Sequence, residues 1–233
     1  MLTVPLTQVE KASARLRLLT IDISGRPFDY LPGQAVLVGP HAGPERRPYS
    51  IACSPEWAAE TRTLQLLIAT EAGSEGLGWA AHGALVDVDG PIGTFTFPAS
   101  PPQPRILFVA GGTGIAPVRA MLDHAMRRHP TLTLSLLYST RGSDEFAFGE
   151  ELRAHERAGH LELHQTVTRD DGTSWDGRRG RIGRDHFEAV LHEPASTLCF
   201  VCGPPSLVGD SVATLRALGV AGGSIRTEDR GGR

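Results

Sequence analysis

Cysteine is scarce in this chain, with only three in 233 residues. Cys53, Cys199 and Cys202 lack the paired spacing of a metal site, and four thiolates for an iron–sulfur cluster are missing. The odd number argues against a disulfide framework, so the pattern favours a reduced, cytoplasmic location. The nine histidines are scattered along the chain, so we expect no bound metal ion.

Strong charge of one sign and long hydrophobic runs are also missing. The net charge is −3, which argues against a nucleic-acid-binding surface or a polybasic membrane patch. Residues 1–23 alternate polar and apolar positions and lack the apolar core of a signal peptide or membrane span. We therefore expect no nucleic-acid partner and no membrane insertion, and a small molecule or another protein becomes the default partner.

The first half of the chain has the pattern of a small antiparallel β-barrel. Short β-type runs are separated by glycine and proline turns, without a long helical period. The predicted strands are residues 16–23, 34–38, 47–53, 63–69, 85–88 and 94–97. Only residues 78–82 have a short helical pattern, and the turn residues of 89–95 predict the closing turn of the barrel.

Beyond the proline-rich segment 98–104, strand and helix patterns alternate. The predicted strands are 105–110, 132–139, 161–168 and 196–202, and the predicted helices are 116–128, 146–158, 184–190 and 206–218. This alternation predicts a doubly wound α/β domain with a parallel sheet. We therefore predict two domains, residues 1–100 and 101–233, with any shared ligand in the cleft at the carboxyl ends of the parallel strands.

Residues 105–117 have the order strand, glycine-rich turn, helix. Gly111, Gly112 and Gly114 allow a sharp turn and a close approach of the backbone to a ligand. The helix behind them offers unpaired N–H groups and a positive dipole end, which suit a phosphate. The spacing matches neither the dinucleotide fingerprint nor a Walker loop, so an ordinary glycine-rich turn stays open as the alternative.

Three further motifs have the chemistry to bind a large anionic ligand. In Arg47–Ser50 the guanidinium can hold a phosphate, the Tyr49 ring can lie against a flat ring, and the hydroxyl can bond to a ring edge. Residues 73–78 are glycine-rich, so their backbone N–H groups could bind a second phosphate, and Cys202 is predicted to end a buried strand before Gly203 and Pro204. Each motif alone also has a plain explanation: a solvated arginine, a surface loop or a small core residue.

Together and in this order, the motifs resemble the ferredoxin–NADP reductase superfamily of flavin oxidoreductases. Residues 47–50, 90–93, 111–117 and 202–204 carry the likeness. The resemblance implies FAD in the barrel, a nicotinamide dinucleotide in the α/β domain, and hydride transfer from the nicotinamide to the flavin N5. It also implies a redox partner such as a ferredoxin or an oxygenase component.

The resemblance assigns the FAD site to the barrel. Arg47 would bind the pyrophosphate, Tyr49 would stack on the isoalloxazine, and Ser50 would hydrogen-bond near N5. The FAD-binding residues implied are Arg47, Pro48, Tyr49, Ser50, Ile68, Thr70, Gly76, Leu77 and Gly78. Leu77 replaces a frequent serine or threonine of the second phosphate loop, and Arg230 stands where many relatives have a terminal aromatic ring.

The resemblance assigns the nicotinamide dinucleotide to the second domain. The implied contacts are Gly112, Thr113, Gly114 and Ile115 at the pyrophosphate, and Cys202, Gly203 and Pro204 near the nicotinamide. Glu228, in a closing strand, would lie near the flavin and help deliver a proton, with a solvated terminal charge as the alternative. The implied catalytic residues are thus Ser50, Cys202 and Glu228.

The second and third strands of this domain favour NADP(H) over NAD(H). Residues 138–141 end without the carboxylate that binds ribose hydroxyls in NAD-specific sites. Thr168 and Arg169 resemble the pair that NADPH-using members place around the 2′-phosphate, and Arg181 follows at the spacing of a second arginine. Two other functions stay open, a flavin reductase that releases reduced flavin and a non-catalytic flavin-binding regulatory subunit.

Overall fold

The computed structural model describes residues 1–70, 80–169 and 175–229, and contains two six-stranded sheets. The first sheet is formed by β1 Leu2–Lys11, β2 Leu16–Asp22, β3 Ala35–Pro40, β4 Arg47–Ser50, β5 Thr63–Ala69 and β6 Leu85–Ile92. Its order is β4-β3-β6-β1-β2-β5, with antiparallel pairs throughout. The helix α1 Pro55–Thr61 connects β4 to β5.

The two ends of this sheet meet and close it into the predicted antiparallel barrel. Ile51, just after β4, forms an antiparallel bridge with Leu66 of β5. The Ala52 N–H donates to the Gln65 carbonyl at 2.7 Å. Alternating apolar side chains fill the interior, among them Val4, Leu6, Leu19, Ile21, Leu64 and Leu66.

The second sheet is parallel and carries helices on both faces. Its strands are β7 Arg105–Gly111, β8 Thr133–Thr140, β9 Glu162–Val167, β10 Arg178–Arg179, β11 Thr197–Gly203 and β12 Ile225–Asp229, in the order β10-β9-β8-β7-β11-β12. The helices are α2 Ile115–Arg128, α3 Gly149–Arg157, α4 Arg184–Val190 and α5 Pro205–Ala217. This is the doubly wound arrangement that the alternating pattern predicts.

Alternation along β7 explains its continuous apolar sequence. Ile106 and Phe108 join a core with α2 and α3, whereas Leu107 and Val109 join a second core with α4 and α5. A central parallel strand covered by helices on both sides has no solvent-facing position, so every residue from 106 to 110 is apolar. None of the helices within the described ranges has the length and apolar character needed to cross a membrane.

The predicted strand 94–97 is wrong, because Phe95 and Phe97 connect the two halves instead. The Phe97 ring stacks at 6.5 Å from Phe108 and 5.7 Å from Phe200, and Phe95 meets Phe200 edge to face at 5.7 Å. Both rings are buried in a core shared by the two halves, so tertiary packing decides the conformation of this segment. The segment 93–104 has no helix or strand, and the domain limits near residue 100 stay a prediction.

Three other details differ from the sequence prediction. Residues 80–82 are not helical, and 78–79 lie outside the described residues. Residues 89–92, predicted as a turn, continue β6 to Ile92 with an irregular register against β3. The strand β1 and the helix α1 were not predicted.

Candidate functional site

A cleft of about 560 Å³ opens between the barrel and the ends of the parallel strands. Its wall in the second half includes residues that follow β7, β8, β9 and β11, as a ligand site of a doubly wound sheet requires. The described residues lining it include Gly111, Gly112, Thr113, Ser139, Thr140, Arg141, Glu145, Thr168, Arg169, Arg181 and Pro204, with Arg15, Leu16 and Ala69 from the barrel.

The glycine turn combines close packing with an open position. Gly112 has a φ of +54°, and a Cβ placed there would meet no described atom within 4 Å. Gly114 is packed so closely that a Cβ would collide with the Cys202 carbonyl oxygen. The helix α2 has no side-chain cap from the described residues, but the Ile115 N–H donates back to the carbonyls of the short 3-10 turn Gly112–Gly114, so the backbone of that turn is what an anion can approach. The turn therefore fits a phosphate at Gly112, while Gly114 is required for packing.

A second turn, between β11 and α5, packs directly against the first. A Cβ on Gly203 would lie 3.1 Å from the Gly111 nitrogen. Pro204 lines the cleft, whereas the side chains of Ile115 and Cys202 are fully buried behind it. Some of the predicted dinucleotide-binding residues therefore line the cleft, whereas others pack behind the lining residues.

The structure brings two predicted catalytic residues together. Cys202 and Glu228 pair in register across β11 and β12, and the Cys202 thiol donates to Glu228 Oε2 at 3.7 Å. The contact holds the carboxylate at the end of the sheet beside the second turn. Their positions relative to the nicotinamide and the flavin stay predictions.

Thr168, Arg169 and Arg181, which follow β9 and β10, all line the cleft. The Thr168 hydroxyl donates to the Thr140 carbonyl at 3.2 Å. The Arg169 N–H donates to the Arg141 carbonyl at 2.8 Å, which ties the segment after β9 to the loop after β8. Both Arg169 and Arg181 line the cleft, so two guanidinium groups are available to an anionic group there.

The strand β4 carries the predicted FAD residues. Ser50 is buried, and its hydroxyl has no hydrogen-bond partner among the described residues. Burial raises the pKa of Tyr49, an effect that the Arg47 charge opposes, so the phenol stays protonated at neutral pH. Arg47 and Pro48 are exposed, and Arg47 lies 3.8 Å from Glu45. An exposed guanidinium, a half-buried ring and an unpartnered hydroxyl on one strand fit a large cofactor such as FAD.

The remaining predicted FAD residues differ in accessibility. Ile68 is only 3% exposed and points into the barrel core, so alternation along β5 directs Ala69 towards the cleft instead. The Thr70 hydroxyl donates to the Arg15 carbonyl at 3.1 Å. Gly76, Leu77 and Gly78, and Arg230 at the carboxyl end, lie outside the described residues.

Arg119 of α2 joins the glycine turn to the barrel. Its guanidinium donates to the Ala52 carbonyl and to Gln65 Oε1, each at 2.8 Å. It also pairs bidentately with Glu151 at 2.7 and 2.9 Å, and it lies 4.4 Å from the centre of the Phe148 ring. One largely buried cation therefore fixes the segment after Ser50 relative to the helix that follows the glycine turn.

Known proteins of similar sequence have functions that fit this cleft. Residues 108–212 match the family model described as Oxidoreductase NAD-binding domain. Ferredoxin–NADP reductase B of Sorangium cellulosum is 32% identical over 212 residues, which are 87% of this chain and 86% of that protein. The chain belongs to the ferredoxin–NADP reductase superfamily. It is therefore an NAD(P)H-dependent flavin oxidoreductase.

Other relatives of this superfamily agree in fold. The structure of a ferredoxin NADP+ reductase from Neisseria gonorrhoeae with bound FAD and NADP has a TM-score of 0.80 at 23% identity, covering 98% of each chain. The ferredoxin reductase in carbazole 1,9a-dioxygenase has a TM-score of 0.85 at 24% identity, covering 97% of this chain and 68% of that one. At these identities the likeness shows the fold alone.

Some relatives in the superfamily are much longer. A component of the Na+-translocating NADH-quinone reductase of Klebsiella pneumoniae is 31% identical over 159 residues, and the match spans only 38% of that protein. The reductase component of the naphthalene 1,2-dioxygenase/salicylate 5-hydroxylase systems of Ralstonia sp is 28% identical and is covered to 66%. The likeness to the Klebsiella protein therefore concerns one part of that protein.

Several residues that line the cleft are not among the site residues predicted from the sequence. The sequence could have indicated Ser139, Thr140 and Arg141, because they lie at the carboxyl end of a predicted parallel strand, where ligands bind. No sequence pattern indicates Arg15 or Glu145 as cleft residues, since they belong to different halves of the chain and only the tertiary fold brings them together.

Proposed function

We propose that this protein takes a hydride from NADPH through FAD held by the barrel, and passes electrons to a ferredoxin or to an oxygenase component. The observation that carries the proposal is the continuous cleft that joins the glycine turn at Gly112 to Arg169 and Arg181, on the border with the barrel. The names of the Sorangium and Ralstonia relatives support a ferredoxin as acceptor.

FAD supplies the redox chemistry, since it accepts a hydride at N5 and releases electrons one at a time. In this proposal Arg47 binds the pyrophosphate and Tyr49 covers the flavin ring. The buried Ser50 hydroxyl gains its missing hydrogen bond at the edge of that ring near N5. Arg119 ties the segment 50–52 to the helix that follows the glycine turn, and this link would fix the spacing between the proposed flavin and nicotinamide sites.

The same cleft favours NADPH over NADH. The strand β8 ends at Thr140 and is followed by Arg141, where an NAD-specific site has a carboxylate. Arg169 and Arg181 offer two guanidinium groups to the 2′-phosphate, and Thr168 would turn its hydroxyl from the Thr140 carbonyl to the same phosphate. In this proposal the backbone at Gly112 and Thr113 receives the pyrophosphate.

Glu228 is the proposed proton donor to the flavin side, and Cys202, buried behind the cleft wall, is proposed to lie near the nicotinamide. The thiol–carboxylate contact between them keeps the Glu228 side chain at the strand end. We also propose a cytoplasmic location, on the basis of three free and buried thiols. Burial raises the pKa of Cys53, and raises that of Cys199 to about 12, so both stay protonated and inert.

Anaerobic mixing of the purified protein with NADPH and then with NADH tests the function. We expect a yellow protein whose flavin absorbance bleaches with NADPH, more slowly with NADH, and returns when an oxidised ferredoxin is added. Colourless protein that consumes NADPH only with added flavin would identify a flavin reductase instead. Bound flavin that bleaches with neither nucleotide would overturn the proposal.

A further inference from the structure

We propose that Arg15 is a dinucleotide-binding residue that the barrel contributes to the cleft, and that its guanidinium binds the pyrophosphate of the nicotinamide dinucleotide. Nothing in the sequence motifs points to this residue. The inference rests on the proposed function, because it names a further residue of the same nucleotide site. Of the described barrel residues that line the cleft, Arg15 is the charged one, beside Leu16 and Ala69.

The backbone of Arg15 is held firmly at the cleft border. Its carbonyl accepts the Thr70 N–H at 2.9 Å and the Thr70 hydroxyl at 3.1 Å. The next residue, Leu16, begins β2 and lies in the same buried cluster as Ile115 and Ala116 at the start of α2. The side chain is 35% exposed, so it is accessible to a ligand while its backbone is fixed.

The position of Arg15 relative to the parallel sheet indicates which phosphate of the dinucleotide it would bind. The strand β5, which pairs with β2 beside Arg15, contacts the turn Gly112–Gly114 that follows β7. Arg169 and Arg181 follow β9 and β10, at the outer edge of the sheet. Arg15 pairs with Glu145 in the loop after β8, the strand between β7 and β9, so it lies between the glycine turn and the proposed 2′-phosphate site, and the pyrophosphate is the anionic group that we place there.

Glu145 forms an ion pair with the guanidinium of Arg15. Arg15 Nη1 lies 3.6 Å from Glu145 Oε1, and both residues line the cleft. The neighbouring Ala14 N–H donates to the Asp144 carbonyl at 3.2 Å, so the two loops meet directly. At 3.6 Å the ion pair is loose, and an anionic ligand competes with the carboxylate for the same cation. Glu145 should therefore weaken pyrophosphate binding both by holding Arg15 and by repulsion.

Binding measurements, which do not depend on catalytic activity, distinguish the pyrophosphate site from the 2′-phosphate site. Calorimetric titrations of the FAD-loaded protein would use NADP+, NAD+, ADP-ribose and 2′-AMP, of which only 2′-AMP lacks the pyrophosphate. We expect Arg15→Gln to weaken the first three by about tenfold each and to leave 2′-AMP unchanged. Arg169→Ala should show the complementary pattern, weakening NADP+ and 2′-AMP and sparing NAD+ and ADP-ribose.

Two further variants keep the result interpretable. Arg17→Gln is the matched control, because Arg17 lies two residues further along, donates to the Leu16 carbonyl at 3.2 Å, and does not line the cleft. It should change no affinity. Glu145→Gln should tighten the three pyrophosphate ligands, which tests the inference even if Arg15→Gln fails to fold.

The two proposals fail in different ways. If the flavin of the unmodified protein bleaches with neither nucleotide, the proposed function is overturned and the assignment of Arg15 falls with it. If the protein binds ADP-ribose and its flavin bleaches, but neither Arg15→Gln nor Glu145→Gln alters the affinity, only the assignment of Arg15 is overturned. Equal weakening of 2′-AMP and ADP-ribose by Arg15→Gln would also overturn it, since that result indicates a general effect of charge.

Discussion

Ser50 is a buried residue whose hydroxyl is not satisfied by the described residues of the protein itself. Its side chain is 2% exposed, and its hydroxyl has no partner within the described part of the chain. Leaving a buried polar group unsatisfied costs about 1–3 kcal/mol, so its retention on a short strand is consistent with a ligand that supplies the partner. Ser211 of α5 has the same defect at 1% exposure but does not line the cleft, which makes it a useful comparison.

Ser50→Ala should therefore have opposite effects on stability and on activity. We expect the apoprotein to gain about 1 kcal/mol in urea unfolding, because the orphaned hydroxyl is removed. We expect the FAD-loaded protein to be reduced by NADPH about tenfold more slowly in stopped-flow measurements. Ser211→Ala should reproduce the gain in stability without slowing reduction. Unchanged reduction by Ser50→Ala would argue against a role of Ser50 at the flavin.

At the scale of elements, the predictions from sequence followed periodicity. The run from 105 to 128 predicted β7 and α2 almost to the residue, because a doubly buried strand and an amphipathic helix both leave strong patterns. The aromatic residues 95 and 97 were assigned to a strand, since local sequence cannot show that their partners are Phe108 and Phe200. Arg15 was missed as a cleft residue for the same reason.

The helix α1 was missed although its signals are local. Ser54 is the N-cap, its Oγ accepts the Trp57 N–H at 3.0 Å, and Pro55 opens the first turn. The helix has only seven residues, so hydrophobic periodicity could not identify it. Its cap also has a tertiary role, because the Ser54 hydroxyl donates to Asp123 of α2.

Ser54→Ala removes both the cap and the link to α2. We expect a loss of about 1–2 kcal/mol in the free energy of unfolding, measured by urea titration. Thr61→Ala is the control, since its hydroxyl donates to the Trp57 carbonyl at 2.9 Å from an exposed position at the other end of the helix. That change should cost less than about 0.5 kcal/mol. Equal losses for the two variants would mean that the cap of α1 contributes nothing specific.

At the scale of the whole molecule, function depends on how the two sheets are held together. The stacked rings of Phe97, Phe108 and Phe200 bury apolar surface between the halves, an interaction with little directional preference. Arg119 instead donates hydrogen bonds of defined geometry to Ala52 and Gln65 on the barrel side. The ring contacts keep the halves together, and the guanidinium sets their relative position. The distance between the two proposed cofactor sites thus depends on a residue outside both.

Arg119→Ala should accordingly weaken the junction more than loss of an exposed ion pair does. The Arg119 side chain is 14% exposed, and its loss leaves Glu151 and the Ala52 carbonyl without their partner, so we expect a loss of about 3 kcal/mol in urea unfolding. Arg127→Ala, on the same helix, removes more exposed ion pairs with Glu60 and Asp123, each at 2.8 Å, and should cost under about 1 kcal/mol. Arg119→Lys should recover part of the stability, but flavin reduction by NADPH should stay slow, because a lysine cannot hold the Ala52 carbonyl and Glu151 in the same fork geometry. Full recovery of the reduction rate by Arg119→Lys would show that the charge alone, and not the position it imposes, is what the reaction requires.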